Sequence, residues 1–336
     1  VNTVFLVKVF MPNPSVPRFV CHLHGTKPGP RVVVFGGTHG DETTGVEVIQ
    51  TILKRLGLDS DVPSGSHEIL FVNGDLFLGI GNPEAFAKDA RSSSGVRDLN
   101  RCFHEQFFSD PKEMELSDQK RAAELKDLLA SANYFFDLHS VSTDRTVPFI
   151  GLTTFTKEHA RVCKLIPVSY ILNVHSILGR DVGIDDRNLE QAPTTCSWVN
   201  RHGGTGLAYE MGFQKDFTST SRALQTILHV LKEIGSIDEA FIQKVGVTIN
   251  PSITKQTEQH VFRLISCERN KFKDFSYSDD RYTESWLPVK KGELIGKYVD
   301  GEEVRTSSDG LLVFQAGKQT LKTNPSLFYL AVPETE

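Results

Sequence analysis

The chain has 336 residues, 39% of them hydrophobic and 24% charged. That allows one large domain or two modest ones, and it excludes a disordered or fibrous protein. With 37 Lys+Arg against 42 Asp+Glu the formal net charge is −5, so there is no bulk electrostatic reason to bind nucleic acid or an anionic membrane, and an acidic ligand must be met by a local Arg or Lys cluster.

The opening segment, VNTVFLVKVFMPNPSVPRF, has apolar runs interrupted by Lys8 and three prolines. It reads as a strand and a turn rather than a signal peptide, and no stretch of the chain approaches 18 consecutive apolar residues. The β-branched run Arg31–Gly36 reads as a buried strand. From Asp41 to Leu56 the apolar residues recur at helical spacing. Glu68–Asn73 reads as a strand and Ser117–Ala130 as a helix with Ser117 as its cap. Tyr134–His139 and Gly206–Met211 read as strands, and Thr218–Ile234 as a long amphipathic helix stopped near Gly235. This alternation predicts an α/β domain with a mixed, largely parallel sheet covered on both faces, over residues 1–240. After Gly235 strand-like pieces (Val289–Gly296, Tyr298–Gly301, Ser308–Phe314) alternate with Gly, Asp and Ser turns, which predicts a small all-β domain over residues 241–336.

Cys21, Cys102, Cys163, Cys196 and Cys267 are odd in number and scattered, with no CxxC pair. That excludes a cysteine zinc finger, argues against a disulfide framework, and makes a reducing, cytoplasmic compartment the expectation.

The chemistry-bearing residues lie at predicted strand ends, where ligands bind in open α/β sheets. In Gly36-Gly-Thr-His-Gly-Asp-Glu42, His39 and Glu42 are three apart on a turn entering a helix, so both side chains can converge on one metal ion. Imidazole plus carboxylate suits zinc, and a catalytic zinc needs three protein ligands. The best distant third is His139, in Phe135-Phe-Asp-Leu-His-Ser140. Asp137, two residues earlier on the same strand face, can orient a ligating imidazole. Alone, His39 is a turn histidine and Glu42 a first-turn carboxylate; together with a strand ending Asp-x-His they make a stronger pattern. The other histidines carry less: His22 and His24 alternate on a strand, His175, His202, His229 and His260 have no partner at ligand spacing, and His104 can edge the cleft.

GGTHGDETTG, DLNRCF, FFDLHS and LAYEMG occur in the order and approximate spacing of the aspartoacylase/succinylglutamate desuccinylase family, which the chain resembles over residues 36–212, with the C-terminal β unit matching in position. The resemblance implies a three-layer α/β/α zinc-carboxypeptidase-like domain and a zinc amidohydrolase that splits the acyl group from a small N-acyl amino acid, with one Zn2+ per chain held by His39, Glu42 and His139. It implies Glu210 as the general base, which takes a proton from water and returns it to the leaving amine. It also implies that Asn100 and Arg101 grip the substrate carboxylate. Arg97 is the residue assigned to the developing oxyanion, with Arg91 as the alternative in a Ser-rich stretch that blurs the alignment. Tyr329 is the aromatic expected to reach the site from the β unit, whose KKGELIG…SSDGLLVF pattern looks like a lipoyl-carrier barrel without its lysine hairpin. A homodimer is compatible with the resemblance, and no nucleic-acid or membrane partner is expected.

Two departures bear on substrate. The family arginine upstream of the base falls at Cys196, and its tyrosine partner at Gln191; Arg187 or Arg201 could substitute from a neighbouring turn. This puts a dicarboxylic substrate in doubt. Two other readings stand beside the deacylase. One is a metallocarboxypeptidase-like hydrolase of short peptides, disfavoured by a β unit that narrows the entrance. The other is a non-catalytic metal or small-molecule binding protein, disfavoured by the complete set of ligands, base and Asn-Arg pair.

Overall fold

The computed structural model describes residues 17–58, 65–141, 144, 146–174, 192–272, 274–317, 321–322 and 326–334. The predicted N-terminal strand falls mostly on residues 1–16, outside that set, as do His175, Arg187 and Gln191.

The strands are β1 (Val20–His24), β2 (Lys27–Gly36), β3 (Gly65–Glu68), β4 (Asn73–Ile80), β5 (Tyr134–Val141), β6 (Phe149–Leu152), β7 (Tyr170–Asn173), β8 (Thr205–Phe213), β9 (His260–Arg269), β10 (Phe275–Tyr277), β11 (Leu287–Val289), β12 (Leu294–Tyr298), β13 (Glu303–Arg305), β14 (Gly310–Val313) and β15 (Ser326–Pro333). The helices are α1 (Thr44–Arg55), α2 (Pro83–Ala87), α3 (Glu105–Ser109), α4 (Ser117–Ala130), α5 (Lys157–Cys163), α6 (Thr195–Arg201), α7 (Ser219–Glu233), α8 (Glu239–Val245) and α9 (Pro251–Thr254). The large sheet runs β11-β14-β15-β9-β7-β6-β8-β5-β2-β4-β1-β3, and β10-β12-β13 form a separate antiparallel sheet. At the centre β4, β2, β5 and β8 are parallel neighbours. The sheet is mixed because β6 joins β8 antiparallel and β15 joins β9 antiparallel.

Period-two alternation sorts the side chains between two cores. Val32 and Val34 of β2, Phe136 and Leu138 of β5, and Leu207, Tyr209 and Met211 of β8 pack with α1, α5, α7 and α8. Val33, Phe35 and Phe135 face the other way, into a core with α4 and α6. Alternation therefore puts Asp137, His139 and Glu210 on the α4/α6 side. The C-terminal strands build two further apolar clusters, one of them joined to β6 and β7 through Phe149 and Leu172. Among the described residues no helix is long and apolar enough to cross a membrane.

The apolar run predicted as a strand over 68–73 is instead a turn: Val72 N–H donates to Ile69 O at 3.0 Å and Asn73 N–H to Ser236 O at 2.8 Å. Ile69 and Val72 are buried by packing in the α1/α7/α8 core, so hydrophobicity here reports burial rather than extension. Helix α1 starts at Thr44, after Glu42. Residue Leu116, not Ser117, occupies the α4 cap, and the Ser117 hydroxyl meets Ser93 Oγ at 2.8 Å. The predicted strand over 289–296 is two strands, β11 and β12, separated by a turn.

Two glycines set how closely α1 lies on the sheet. A Cβ on Gly36 would fall 2.3 Å from Gly45 C and 2.4 Å from Val46 N, and one on Gly45 would fall 2.7 Å from Leu138 O. Both obstacles are backbone and cannot rotate aside. Gly36→Ala is expected to push α1 away and cost about 1–3 kcal/mol, the usual range for overpacking; chemical denaturation checks this, and an unchanged midpoint would show that the contact is not tight.

Candidate active site

Strands β2, β5 and β8 end at the same edge of the sheet, and each delivers part of one cluster. After Gly36 the backbone reverses through Gly37 (φ +65) and carries His39 and Glu42 across the end of β5. His39 Nδ1 lies 2.7 Å from Glu42 Oε1, and His139 Nδ1 lies 2.9 Å from Glu42 Oε2. Ser140 N–H donates to the same Oε2 at 3.0 Å. One ligand atom from each of His39, Glu42 and His139 thus lies within 4.8 Å of the others. His139 is the direct register neighbour of Glu210 on β8.

The outward ring nitrogens each face a carboxylate. His39 Nε2 is 3.5 Å from Asp98 Oδ1 and His139 Nε2 is 3.2 Å from Asp137 Oδ2. Both are ion-pair contacts without the direction of a hydrogen bond. Asp137 is fully buried and accepts from Thr38 Oγ1 at 2.6 Å and Thr195 Oγ1 at 2.7 Å. Two Nδ1 atoms and a carboxylate pointing inward, with a carboxylate behind each imidazole, is a donor set that fits zinc, a borderline-soft cation that takes nitrogen and oxygen ligands and uses such outer partners to fix the ring orientation.

The charges are strongly interdependent. Burial alone would raise Glu42, but His39 and His139 hold its carboxyl well below the usual range. Burial would lower His139, yet Asp137 and Glu42 push it well above the ordinary imidazole value. Asp98 is held well down against burial by Arg101, His39 and Arg91. Glu210 goes the other way. Burial raises its carboxyl to about 7, Glu42 adds to the rise, and His139 partly offsets it. Carboxyl groups with opposed pKa shifts in one cluster are the arrangement that acid–base chemistry uses.

The remaining residues singled out by sequence are placed as follows. Asn100 accepts on Oδ1 from the Thr195 N–H at 3.0 Å. Arg101 donates to the Asn100 carbonyl at 2.8 Å and acts electrostatically on Asp98. Arg97 forms a two-pronged pair with Glu113 at 2.6 and 3.1 Å and lies 3.9 Å over the Phe107 ring. Arg91 donates to Asp98 Oδ2 at 3.2 Å and acts electrostatically on Glu42, His39 and Glu210. Tyr329 packs against Phe314 at 5.7 Å, which in turn packs against Phe149, the antiparallel register partner of Glu210. Cys196 is buried on α6, and burial holds its thiol well above its ordinary value, so no charge stands there. Arg201 donates to Ala192 O and Phe103 O. Thr38, Thr195 and the contact of Asp98 with His39 were not foreseen; the only signal was the placement of Asp98 inside the DLNRCF motif.

A raised carboxyl makes folding pH-dependent with a defined sign. Between its ordinary 4.5 and about 7, the folded protein keeps a proton on Glu210 that the unfolded chain has released, so stability falls as pH rises through that window. The cost is absent below pH 4.5 and complete above 7. In chelated protein, Glu210→Gln is expected to gain stability relative to wild type as pH is raised from 4.5 to 7.5, read from denaturant midpoints. A difference that does not change with pH would contradict the raised carboxyl.

Among curated protein sequences none matches the chain. The family model for the succinylglutamate desuccinylase/aspartoacylase catalytic domain matches residues 28–234. A solved succinylglutamate desuccinylase/aspartoacylase from Rhodobacter sphaeroides is similar at 19% identity and TM-score 0.65, covering 93% of this chain and 88% of its own. Murine aminoacylase 3 is similar at 19% identity and TM-score 0.62, covering 92% and 96%. The product-bound ectoine utilization protein EutE (DoeB) from Ruegeria pomeroyi is similar at 18% identity and TM-score 0.62, covering 97% and 98%. The structural likenesses fix the fold and the family match adds the catalytic domain: the chain belongs to the succinylglutamate desuccinylase/aspartoacylase family of deacylase-like hydrolases.

Proposed function

We propose that the protein is a zinc-dependent amidohydrolase that removes the acyl group from a small N-acyl amino acid. The observation that carries this reading is the convergence of His39, Glu42 and His139 beside a base candidate, Glu210, that sits next to His139 in sheet register and whose carboxyl burial raises to about 7. His39, Glu42 and His139 would hold the metal, which supplies Lewis-acid polarisation of the scissile carbonyl and acidifies water. Glu210 takes the proton of the attacking water and delivers it to the departing amine nitrogen. A pKa near the operating pH suits both halves of that transfer.

Arg101 and the Asn100 Nδ2 are the groups assigned to the substrate carboxylate, and the planar fork of Arg101 matches its two oxygens. Arg97 is committed to Glu113 and Phe107. Stabilisation of the oxyanion is assigned to Arg91, which is also paired, with Asp98, but whose charge acts on Glu42, His39 and Glu210. We assign catalysis to residues 1–240 and take 241–336, which is mostly strands after α8 and α9, as a unit whose aromatic residues, Tyr329 and Phe314 among them, back the strand next to Glu210. A neutral, buried Cys196 at the family's arginine position favours an amino acid without a second carboxylate.

A panel of acetyl-, succinyl- and formyl-amino acids, assayed with zinc, tests this reading. Turnover of at least one small substrate is expected, with kcat/KM far above that for the same residue at the end of a pentapeptide; equal values would favour a carboxypeptidase. Glu210→Gln is expected to retain fold and metal and to lose about 10²–10⁴-fold in kcat, the contribution of a general base. Near-normal turnover in that variant would remove Glu210 from the mechanism.

A further inference from the structure

Thr195 is the first residue of α6 and lies 58 residues along the chain from Asp137, which it touches on the strand that carries His139. It is fully buried. Its hydroxyl is 2.7 Å from Asp137 Oδ2 and 3.0 Å from Asn100 Oδ1, and its backbone N–H donates to that same Asn100 oxygen at 3.0 Å. A threonine hydroxyl has one proton to give. Asn100 Oδ1 is already served by the backbone N–H, so the hydroxyl proton goes to Asp137. The backbone donor also fixes the amide orientation, because a flipped Asn100 would set Nδ2 against another N–H. The amide is thus held with its oxygen toward α6 and its Nδ2 free to donate elsewhere.

Asp137 is wholly removed from water and depends on three groups: Thr38 on Oδ1, Thr195 and the His139 ring on Oδ2. A buried carboxylate that loses a donor is costly unless its surroundings shift. The His139 ring meets the same Asp137 oxygen as Thr195 and holds Glu42 with its opposite nitrogen, so a shift of Asp137 is passed to the metal ligands through it.

We propose that Thr195 is a positioning residue for the metal site, acting through Asp137 on the His139 ring, and that the same residue sets the Asn100 amide, so that metal ligand and substrate-binding loop are fixed to one helix start. This rests on the metal-site reading above, and zinc binding is the readout that separates the two. Partners behind metal ligands are worth 10–100-fold in affinity. Zinc dissociation constants of purified protein, measured by competition with a chelating dye, are expected to rise about 10–100-fold in Thr195→Val, an isosteric change that keeps the backbone N–H. Thr195→Ser, which keeps the hydroxyl, should bind within a few-fold of wild type. In an Asp137→Asn background Thr195→Val should add little, because its route of action is already cut. If Thr195→Val does not fold, Thr195→Ala carries the same expectation, because it removes the hydroxyl without setting a methyl against Asp137.

Wild-type affinity in Thr195→Val, equal losses in the Val and Ser variants, or a full Thr195→Val effect in the Asp137→Asn background would overturn the proposal and leave the metal site standing. A wild-type protein that binds no zinc would overturn both.

Discussion

A single carboxylate, Glu42, meets two imidazoles at 2.7 and 2.9 Å in a nearly dry pocket. Each imidazole has a second carboxylate behind it. In low dielectric such charges are tolerated only when each is paired and hydrogen-bonded, and the surrounding structure is arranged to keep them so. Thr38 and Thr195 solvate Asp137, Arg91 and Arg101 neutralise Asp98, and the Ser140 N–H completes Glu42. For Glu210 burial is the largest influence and outweighs the charges of His139, His39 and Arg91, so its carboxyl is raised. The same desolvation that demands pairing elsewhere leaves the proposed base, Glu210, with its carboxyl raised to about 7.

The sheet makes this cluster possible. Parallel β2, β5 and β8 end together, and alternation aims Asp137, His139 and Glu210 to one side while Leu138 and Tyr209 anchor the other. The Gly36–Gly45 contact seats α1 so that the turn before it brings Glu42 over the end of β5. Asp118, buried at the start of α4, accepts from Asn82 Nδ2 and from the Ser93 and Ser94 N–H groups at 2.7–3.1 Å. It thereby pins the loop that carries Arg91 and leads to Asn100 and Arg101.

Much of this was legible in the residues. His39, Glu42 and His139 announce themselves because their spacing is local or sits at a strand end, where periodicity tells which way a side chain points. Asp137 could be read behind His139 for the same reason. Thr195 could not, since its contacts with Asp137 and Asn100 are long-range and nothing in a Thr-Thr pair after a proline marks them. The pairing of Arg97 with Glu113 was equally closed to sequence, because the Ser-rich loop between Arg91 and Arg97 has no period and the pairing depends on how that loop folds. The turn at 69–72 was misread because burial and extension leave the same apolar signature over four residues. Strands β6, β7 and β9, which carry the sheet on into the C-terminal part, were missed; β6 and β7 are four residues each, too short for alternation to register.

The most direct measurement is a crystal structure with data collected across the zinc absorption edge, from protein purified without added metal. One anomalous peak bounded by His39 Nδ1, the Glu42 carboxylate and His139 Nδ1 is expected, with Glu210 facing it. A peak that leaves out His139, two full peaks, or a zinc ion bound elsewhere with this cluster empty would contradict the account.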